Sequence, residues 1–231
     1  MKNSSSTNVN LVLLFKSPNN SKRRLAKQIG NLATTAASLL LECALQDVSD
    51  WQGPSWFSPA SPADQAWLNC RLGGSARIVS QKAGNLGERI NQVDQTLRSQ
   101  GIKKIMYIGA DCPGLNLVYL NDAAAQLEKH DVVLGPSLDG GVVLMGSRHA
   151  WPALGDLRWS TNRLRDDLAK ICKEYGWTPT HLQPLYDIDS ASDLLTALTD
   201  LASTERSTRS DLANWISKNM DIIQDKIRLR V

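Results

Sequence analysis

The chain has 231 residues, of which 42% are hydrophobic and 21% are charged, and its formal net charge is +3 at pH 7. This size and composition suit a globular protein with one full core, and the small charge gives no argument for a nucleic acid or an anionic membrane as partner. The four cysteines lie far apart, without the Cys-x-x-Cys spacing of common zinc and redox motifs, which favours a reducing compartment.

The two ends of the chain differ in composition from its middle. Residues 1–10 are polar and rich in Ser and Asn, so we expect a flexible N-terminus there. The apolar run at 11–15 has only five residues, too few for a signal-peptide core or a membrane span. We therefore expect a cytoplasmic protein with no membrane partner, in which one domain over residues 11–200 precedes a C-terminal helical extension over residues 201–231.

Short apolar runs alternate with segments of helical periodicity along most of the chain. Leu11–Phe15 is continuously apolar, as in a strand that is buried on both faces. Apolar residues then recur every three or four positions from Leu25 to Cys43, which predicts one long helix that contains Gly30. Such alternation implies an α/β layered fold with a largely parallel sheet. Further strands are predicted within 53–62 and at 77–80, 104–108, 131–134, 142–145 and 181–186, and further helices at 86–97, 117–129, 164–175 and 212–223.

Acidic residues follow two of the predicted strands. Asp111 comes shortly after the strand at 104–108, and Asp187 and Asp189 come directly after the strand at 181–186. In open α/β sheets, ligands bind at the carboxyl ends of the strands. Asp187 and Asp189 are two positions apart and would point to the same face of an extended chain. These carboxylates could converge on a divalent cation and hold it against the phosphates of a nucleotide.

Several of these acidic positions also have a structural explanation, which the local sequence leaves open. Asp111 lies just before a Pro-Gly pair, which suits a turn or the start of a helix. Ser190 with Asp193 suits a helix cap, although a cap does not explain the two preceding acids. Asp139 lies in a glycine-rich turn between two apolar strands, where it could contact a metal, a sugar hydroxyl or a nucleophile's proton, or simply form a hairpin turn.

The loop after the first strand is basic. It carries Lys16, Lys22, Arg23 and Arg24 before a predicted helix, where cationic side chains suit a di- or triphosphate. The same cluster also fits a solvated surface turn, and the loop lacks the Gly-x-x-x-x-Gly-Lys-Ser/Thr pattern of a P-loop. The three histidines are scattered and Cys112 has no obvious activating base, so hydrolysis by a serine or cysteine nucleophile is poorly supported.

Five short motifs occur in a fixed order between residues 11 and 198. Taken together, they resemble a bacterial family of GT-A-like transferases that was long labelled a domain of unknown function and is often described as arsenosugar-biosynthesis glycosyltransferases. They are also similar to motifs of molybdenum-cofactor and phospholactate guanylyltransferases. The motifs are Leu86-Gly87-Glu88-Arg89, Gly109-Ala110-Asp111-Cys112-Pro113, Gly135-Pro136-Ser137-Leu138-Asp139-Gly140-Gly141, Trp159-Ser160-Thr161 and Asp187-Ile188-Asp189.

This resemblance implies a GT-A-like three-layer α/β/α sandwich with a mostly parallel sheet. The implied ligands are Mg²⁺ or Mn²⁺, a nucleotide-sugar or nucleotide, and a small-molecule acceptor, and a homo-oligomer is left open. The implied site residues are Asp111, Asp189 and, as an alternate, Asp187 for the metal; Asp139 for catalysis; and Lys16, Lys22, Arg23, Arg24, Glu88, Arg89, Gly140 and Gly141 for the nucleotide.

The sequence therefore favours a metal-dependent glycosyltransferase that uses a nucleotide-diphosphate sugar. A nucleotidyltransferase that releases pyrophosphate would use the same acids and the same basic loop. In the family, this loop usually contains glycine and ends in Lys-Thr-Arg-Leu, whereas here it is shorter, lacks glycine and ends at Lys22-Arg23-Arg24-Leu25. This departure motivates a third hypothesis, in which the chain is a nucleotide-binding scaffold without catalysis.

Overall fold

The computed structural model describes residues 7–201 and 205–228. Within these ranges, six strands form one sheet in the order β2-β1-β3-β5-β4-β6. Five strands run in the same direction and β5 runs antiparallel to its neighbours β3 and β4, so the prediction of a mostly parallel sheet is confirmed. The strands are β1 (Asn10–Phe15), β2 (Ser55–Pro59), β3 (Ile105–Ile108), β4 (Val132–Pro136), β5 (Val142–Ser147) and β6 (Pro179–His181).

Helices cover both faces of this sheet, which confirms the three-layer α/β/α architecture. The α-helices of the described residues are α1 (Arg23–Ile29), α2 (Leu32–Asp50), α3 (Pro62–Leu72), α4 (Leu86–Ser99), α5 (Leu117–Leu127), α6 (Leu164–Glu174), α7 (Ala191–Leu201), α8 (Ser207–Lys218) and α9 (Met220–Arg228). Side chains alternate along β1, so Leu11 and Leu13 pack with α2, α3 and α5, whereas Val12 packs with α4 and α6.

The predicted helix from Leu25 to Cys43 is wrong in one respect, because the chain forms two helices there. The break lies at Gly30, which has φ +63° and ψ −137°, a conformation that glycine adopts most readily. Leu25 and Ala33, on either side of the break, belong to the same buried cluster. The apolar spacing therefore continued across the break and concealed it.

Helix α3 was not predicted, although its N-terminus carries the usual signals. Ser61 is the N-cap and accepts a hydrogen bond from the Asp64 backbone N–H at 3.3 Å, and Pro62 occupies the first helical position. Gly73, with φ +66°, ends the helix. A search for caps as well as apolar periodicity would have found this element.

Two predicted strands are shorter or weaker in the structure. Segment 77–80 contributes only an isolated bridge, between Ile78 and Phe57. The last strand was expected at 181–186, but β6 ends at His181, and an isolated bridge joins Leu185 to Ser137. The acids at 187 and 189 therefore follow an extended segment that pairs only locally, rather than a continuous strand.

The C-terminal helices α8 and α9 pack against α1, α2 and α7. Their apolar side chains Leu212, Ile216 and Ile223 are fully buried in this outer cluster. The predicted division of the chain at residue 200 stays a prediction, and residues 1–6, the larger part of the expected flexible N-terminus, lie outside the described residues. Among the helices that the structure describes, none has the length and apolar character needed to cross a membrane.

Candidate active site

Three chain segments meet beyond the carboxyl ends of β1 and β3. The first is the loop from β1 to α1, the second contains Asp111 after β3, and the third is the extended segment that leads into α7. The Ile188 N–H donates to the Asp111 carbonyl oxygen at 2.9 Å and so joins the last two segments through their backbones. Ligands bind at this edge in open α/β sheets, which makes it the candidate active site.

Lys22 is the residue that connects all three segments. Its Nζ lies 3.0 Å from Oδ1 of Asp111 and 3.2 Å from Oδ1 of Asp189, and it also donates to the carbonyl oxygen of Ile188. The Lys22 side chain is 4% exposed, whereas those of Asp111 and Asp189 are 48% and 47% exposed. An ammonium group therefore fills the space between two carboxylates that reach solvent.

The backbone of Lys22 is also unusual, with φ +49° and ψ +40°, in the left-handed region that residues with a side chain seldom adopt. Burial alone would lower the pKa of its ammonium, but the negative charges of Asp111 and Asp189 outweigh that effect and raise the pKa. The group consequently remains a cation in this position. Strained backbone of this kind occurs often at functional sites.

Asp187 lies close to Asp189, but its side chain has a different hydrogen-bond partner. The hydroxyl of Ser137, a buried residue, donates to Oδ1 of Asp187 at 2.6 Å. Burial raises the pKa of Asp187, and the negative charges of Asp139 and Asp189 raise it further. Asp187 and Asp189 therefore make separate contacts, and a role of Asp187 as an alternate metal ligand stays a prediction.

Asp139 occupies the turn of the hairpin between β4 and β5. Its Oδ1 accepts a hydrogen bond from the Gly141 N–H at 2.9 Å, which is ordinary turn geometry. Gly140 has φ +91°, and a Cβ there would lie 2.2 Å from the carbonyl oxygen of Asn162. Glycine at this position lets the turn lie directly against the segment that precedes α6, which contains the Trp159-Ser160-Thr161 motif.

The other predicted nucleotide-binding residues are not all gathered around Lys22. Nη1 of Arg24 lies 3.7 Å from Oδ2 of Asp189, at the rim of the site. Lys16 and Arg23 are exposed on the same loop and helix. That these cations, together with Gly140 and Gly141, bind a nucleotide stays a prediction.

The Leu86-Gly87-Glu88-Arg89 motif makes local contacts at the start of α4. The Glu88 carboxylate accepts from the Asn85 N–H at 2.7 Å and completes a capping box, and Arg89 Nε donates to the Gly84 carbonyl oxygen at 2.7 Å. A Cβ on Gly87 would lie 2.1 Å from the Leu154 carbonyl oxygen, so this glycine allows close packing. The proposed role of Glu88 and Arg89 in the nucleotide pocket stays a prediction.

Sequence reasoning missed the residue that holds the first loop in place. Asp64, at the start of α3, is 1% exposed, and its Oδ1 accepts from the N–H and hydroxyl of Ser17 at 2.8 and 2.6 Å and from Asn20 Nδ2 at 3.0 Å. These bonds fix the start of the loop that carries Lys22. Local patterns could reveal the helix cap at Ser61, but not a contact between residues 47 positions apart.

The donor chemistry at the site fits a hard divalent cation held jointly with phosphate. Among residues 7–201 and 205–228, no three His, Cys, Asp or Glu side chains form a group suited to hold a metal ion. Asp111 and Asp189 instead offer two carboxylates close to one point. Mg²⁺ in phosphate-transfer sites is usually held by one or two carboxylates, substrate phosphates and water, which matches this donor set.

The central part of the chain matches a known family in sequence. The family model described as "Uncharacterized protein conserved in bacteria (DUF2064)" matches residues 44–161, about half of the chain. The chain belongs to this family. The matched region contains Asp111 and Asp139, whereas Lys22 and Asp189 lie outside it. No curated protein matches the chain in sequence.

Several solved structures share the fold. A candidate nucleotide-diphospho-sugar transferase from Desulfovibrio desulfuricans G20 is 20% identical and has a TM-score of 0.82, over 94% of this chain and 97% of that one. A cytidylyltransferase from Leptospira borgpetersenii is 14% identical, with a TM-score of 0.53, over 94% of this chain and 97% of that one. CMP:2-keto-3-deoxy-manno-octonic acid synthetase, complexed with CTP, is 9% identical, with a TM-score of 0.52, over 84% of this chain and 98% of that one. At these identities, the comparison establishes the fold.

Proposed function

We propose that this protein is a metal-dependent glycosyltransferase that moves a sugar from a nucleotide-diphosphate sugar to a small-molecule acceptor. The observation that carries the proposal is the convergence of Asp111 and Asp189 on the Lys22 ammonium, at 3.0 and 3.2 Å, beyond the carboxyl ends of β1 and β3. The similarity in fold to the candidate nucleotide-diphospho-sugar transferase supports it. The fold alone would not suffice, because one fold hosts many activities.

In this proposal, the residues of the site divide into two groups by charge. Asp111 and Asp189 hold Mg²⁺ or Mn²⁺, which when bound offsets negative charge on the departing nucleoside diphosphate. Lys22 and Arg24, which already contact Asp189, provide positive charge for the phosphates from the protein itself. The diphosphate thus binds between the acids and the basic loop.

Asp139 serves the acceptor in this proposal. Its carboxylate is exposed on the β4–β5 turn, and its negative charge acts on Asp187 in the same group of acids. It accepts the proton of the acceptor hydroxyl while that oxygen forms a bond to the anomeric carbon of the sugar. The bond from this carbon to the phosphate oxygen breaks, and the nucleoside diphosphate leaves.

A nucleotidyltransferase is the second candidate, favoured by the similar fold of a cytidylyltransferase and of a synthetase complexed with CTP. In that reaction, an oxygen of a phosphorylated substrate attacks the α-phosphate of a nucleoside triphosphate, and pyrophosphate leaves. The same acids and cations would be needed. Product analysis separates the two, since a glycosyltransferase releases a nucleoside diphosphate.

The first experiment measures thermal unfolding of the full chain with Mn²⁺ and a panel of nucleoside diphosphates, nucleoside triphosphates and nucleotide-sugars. We expect one nucleotide class to raise the Tm of the wild-type protein only with metal, because a ligand that binds the folded state stabilises it. Asp111→Asn should lose this increase, and the control Asp156→Asn, at an exposed position, should keep it. An unchanged increase in Asp111→Asn would refute the site. No increase with any nucleotide would contradict nucleotide binding, and with it both the transferase and the nucleotide-binding scaffold.

A second experiment measures turnover with the nucleotide class identified in this way and a pool of small-molecule acceptors. Release of nucleoside diphosphate supports the glycosyltransferase, and release of pyrophosphate supports the nucleotidyltransferase. In either case, Asp111→Asn should reduce turnover by on the order of 10²-fold or more, because charge stabilisation at the phosphates is lost. Equal turnover by Asp111→Asn and the wild-type protein would reject the assigned role.

A further inference from the structure

The position of Lys22 has a consequence for metal binding. Its ammonium lies within hydrogen-bonding distance of one oxygen on each of Asp111 and Asp189 and also bonds the Ile188 carbonyl oxygen. The side chain is 4% exposed. It is therefore a cation built into the protein at the place where the two carboxylates meet.

A divalent cation cannot share this place with the ammonium group. Mg²⁺ binds carboxylate oxygens at about 2.0–2.1 Å, so a metal ion held by Oδ1 of Asp111 and Oδ1 of Asp189 would need the position that the ammonium occupies. Two cations in contact with the same carboxylates also repel each other strongly where the surroundings are partly shielded from water. Metal binding through Oδ1 of both acids thus requires the Lys22 ammonium to leave.

The surroundings of Lys22 indicate that its side chain, rather than its loop, would move. Asp64 holds the preceding residues Ser17 and Asn20 through hydrogen bonds of 2.6–3.0 Å. Lysine has a flexible four-carbon stem and three rotatable donors, so its ammonium can change partners while the backbone stays in place. The phosphates of a nucleotide bound beside the basic loop would offer it a new anionic partner.

We propose that Lys22 competes with the divalent metal for Asp111 and Asp189, so that metal binds tightly only together with a nucleotide. This inference rests on the proposed function, because it assumes that the two acids form a metal site. Without nucleotide, the ammonium offsets part of the negative charge of the two carboxylates. With nucleotide, the phosphates draw the ammonium away and supply the oxygen ligands that the protein does not provide.

The test measures Mn²⁺ binding directly, by the electron paramagnetic resonance signal of free Mn²⁺, for the full chain without nucleotide. We expect Lys22→Met to bind Mn²⁺ about tenfold or more tightly than the wild-type protein, a change within the usual range of coupling between two sites. The matched control is Lys27→Met, which removes an exposed charge from α1, the helix that begins directly after Lys22, and should change the affinity by less than about twofold. The double variant Lys22→Met/Asp111→Asn should lose the added affinity.

A second variant guards against a folding defect, because Lys22→Met leaves two acids without their cation. Lys22→Gln also removes the charge but keeps a side-chain donor for the Ile188 carbonyl oxygen, and thermal unfolding shows whether each variant is folded. Lys22→Gln should bind Mn²⁺ more tightly than the wild-type protein, as is expected of Lys22→Met.

Two results would overturn the inference while leaving the proposed function intact. The first is tight Mn²⁺ binding by the wild-type protein without nucleotide. The second is a wild-type protein that binds Mn²⁺ with nucleotide, while neither Lys22 variant binds Mn²⁺ more tightly than wild type without it. If neither the wild-type protein nor any Lys22 variant binds Mn²⁺, even with nucleotide, both the metal site and the inference are wrong.

Discussion

Arg209 on α8 and Asp47 on α2 form an ion pair inside the protein, with 2.6 Å between Nη2 and Oδ2 and side chains that are only 2% and 1% exposed. The same guanidinium donates to the carbonyl oxygens of Pro113 and Leu115, at 3.2 and 2.9 Å. These residues closely follow Asp111 in the chain. A helix near the C-terminus therefore supports the loop that carries one of the candidate metal ligands.

Replacing Arg209 should destabilise the fold much more than replacing an arginine in an exposed pair. Arg209→Met leaves the Asp47 carboxylate buried, with Arg206 as its remaining cationic partner among the residues that the structure describes. We therefore expect the free energy of unfolding to fall by about 3 kcal/mol or more. The control Arg71→Met removes an exposed pair with Glu42 and should cost about 1 kcal/mol or less. Urea unfolding measures both, and similar losses in the two variants would contradict this prediction.

The glycine in the β4–β5 turn should tolerate no side chain. Gly140 and Gly176 both have positive φ, of +91° and +70°, so alanine at either position should cost about 1–2 kcal/mol in backbone strain. At Gly140, the added Cβ would also meet the Asn162 backbone, whereas at Gly176 it would have no atom within 4 Å. We therefore expect Gly140→Ala to lose about 1–3 kcal/mol more than Gly176→Ala. Denaturant unfolding of the two variants gives this difference, and equal losses would show that the turn can move away from Asn162.

The carboxylate of Asp131 should account for part of the stability that the fold loses at acidic pH. Hydrogen bonds from the Thr178 N–H, the His149 ring and the Thr178 hydroxyl lower the pKa of its carboxyl group to about 2. Because this pKa is lower when the chain is folded than when it is unfolded, the carboxylate stabilises the fold above about pH 4, and this contribution is lost as the pH falls toward about 2.

The difference in unfolding free energy between the wild-type protein and Asp131→Asn should therefore shrink from pH 5 to pH 3. Urea unfolding at the two pH values measures it, and Asp156→Asn shows the effect of replacing a carboxylate by an amide at an exposed position. A difference between wild type and Asp131→Asn that is equal at pH 5 and pH 3 would contradict the role of these hydrogen bonds.

The sequence predicted the layered fold because hydrophobic periodicity reports burial directly. Leu11–Phe15 was recognised as a strand because β1 is buried on both faces. The break at Gly30 escaped notice because residues on both sides of it face the same buried cluster, so the apolar spacing alone does not reveal a change in backbone direction. Strand β6 was misplaced because its three residues are partly exposed and carry little apolar signal.

The acids of the candidate site were predicted because they follow short apolar runs that were interpreted as strands, which is a local property of the sequence. Which cation they would meet was not predicted, because Lys22 and Asp189 are 167 positions apart and four basic residues of the first loop were equally suitable from sequence. The hydrogen bond from Ser137 to Asp187 was not predicted for the same reason, since the two residues are 50 positions apart in the sequence. Contacts of this kind depend on how loops meet in three dimensions, and no single segment of sequence records them.

The backbone bond between Ile188 and Asp111 and the contacts of Asp64 with the first loop have an entropic consequence. The segments that carry the acids and Lys22 lose their conformational freedom when the chain folds, so an incoming ligand need not order them again. The spacing of the acids is then set in advance of binding. Ions and nucleotides would be selected by how well they match a preformed backbone arrangement. The loops would not need to change conformation for each ligand.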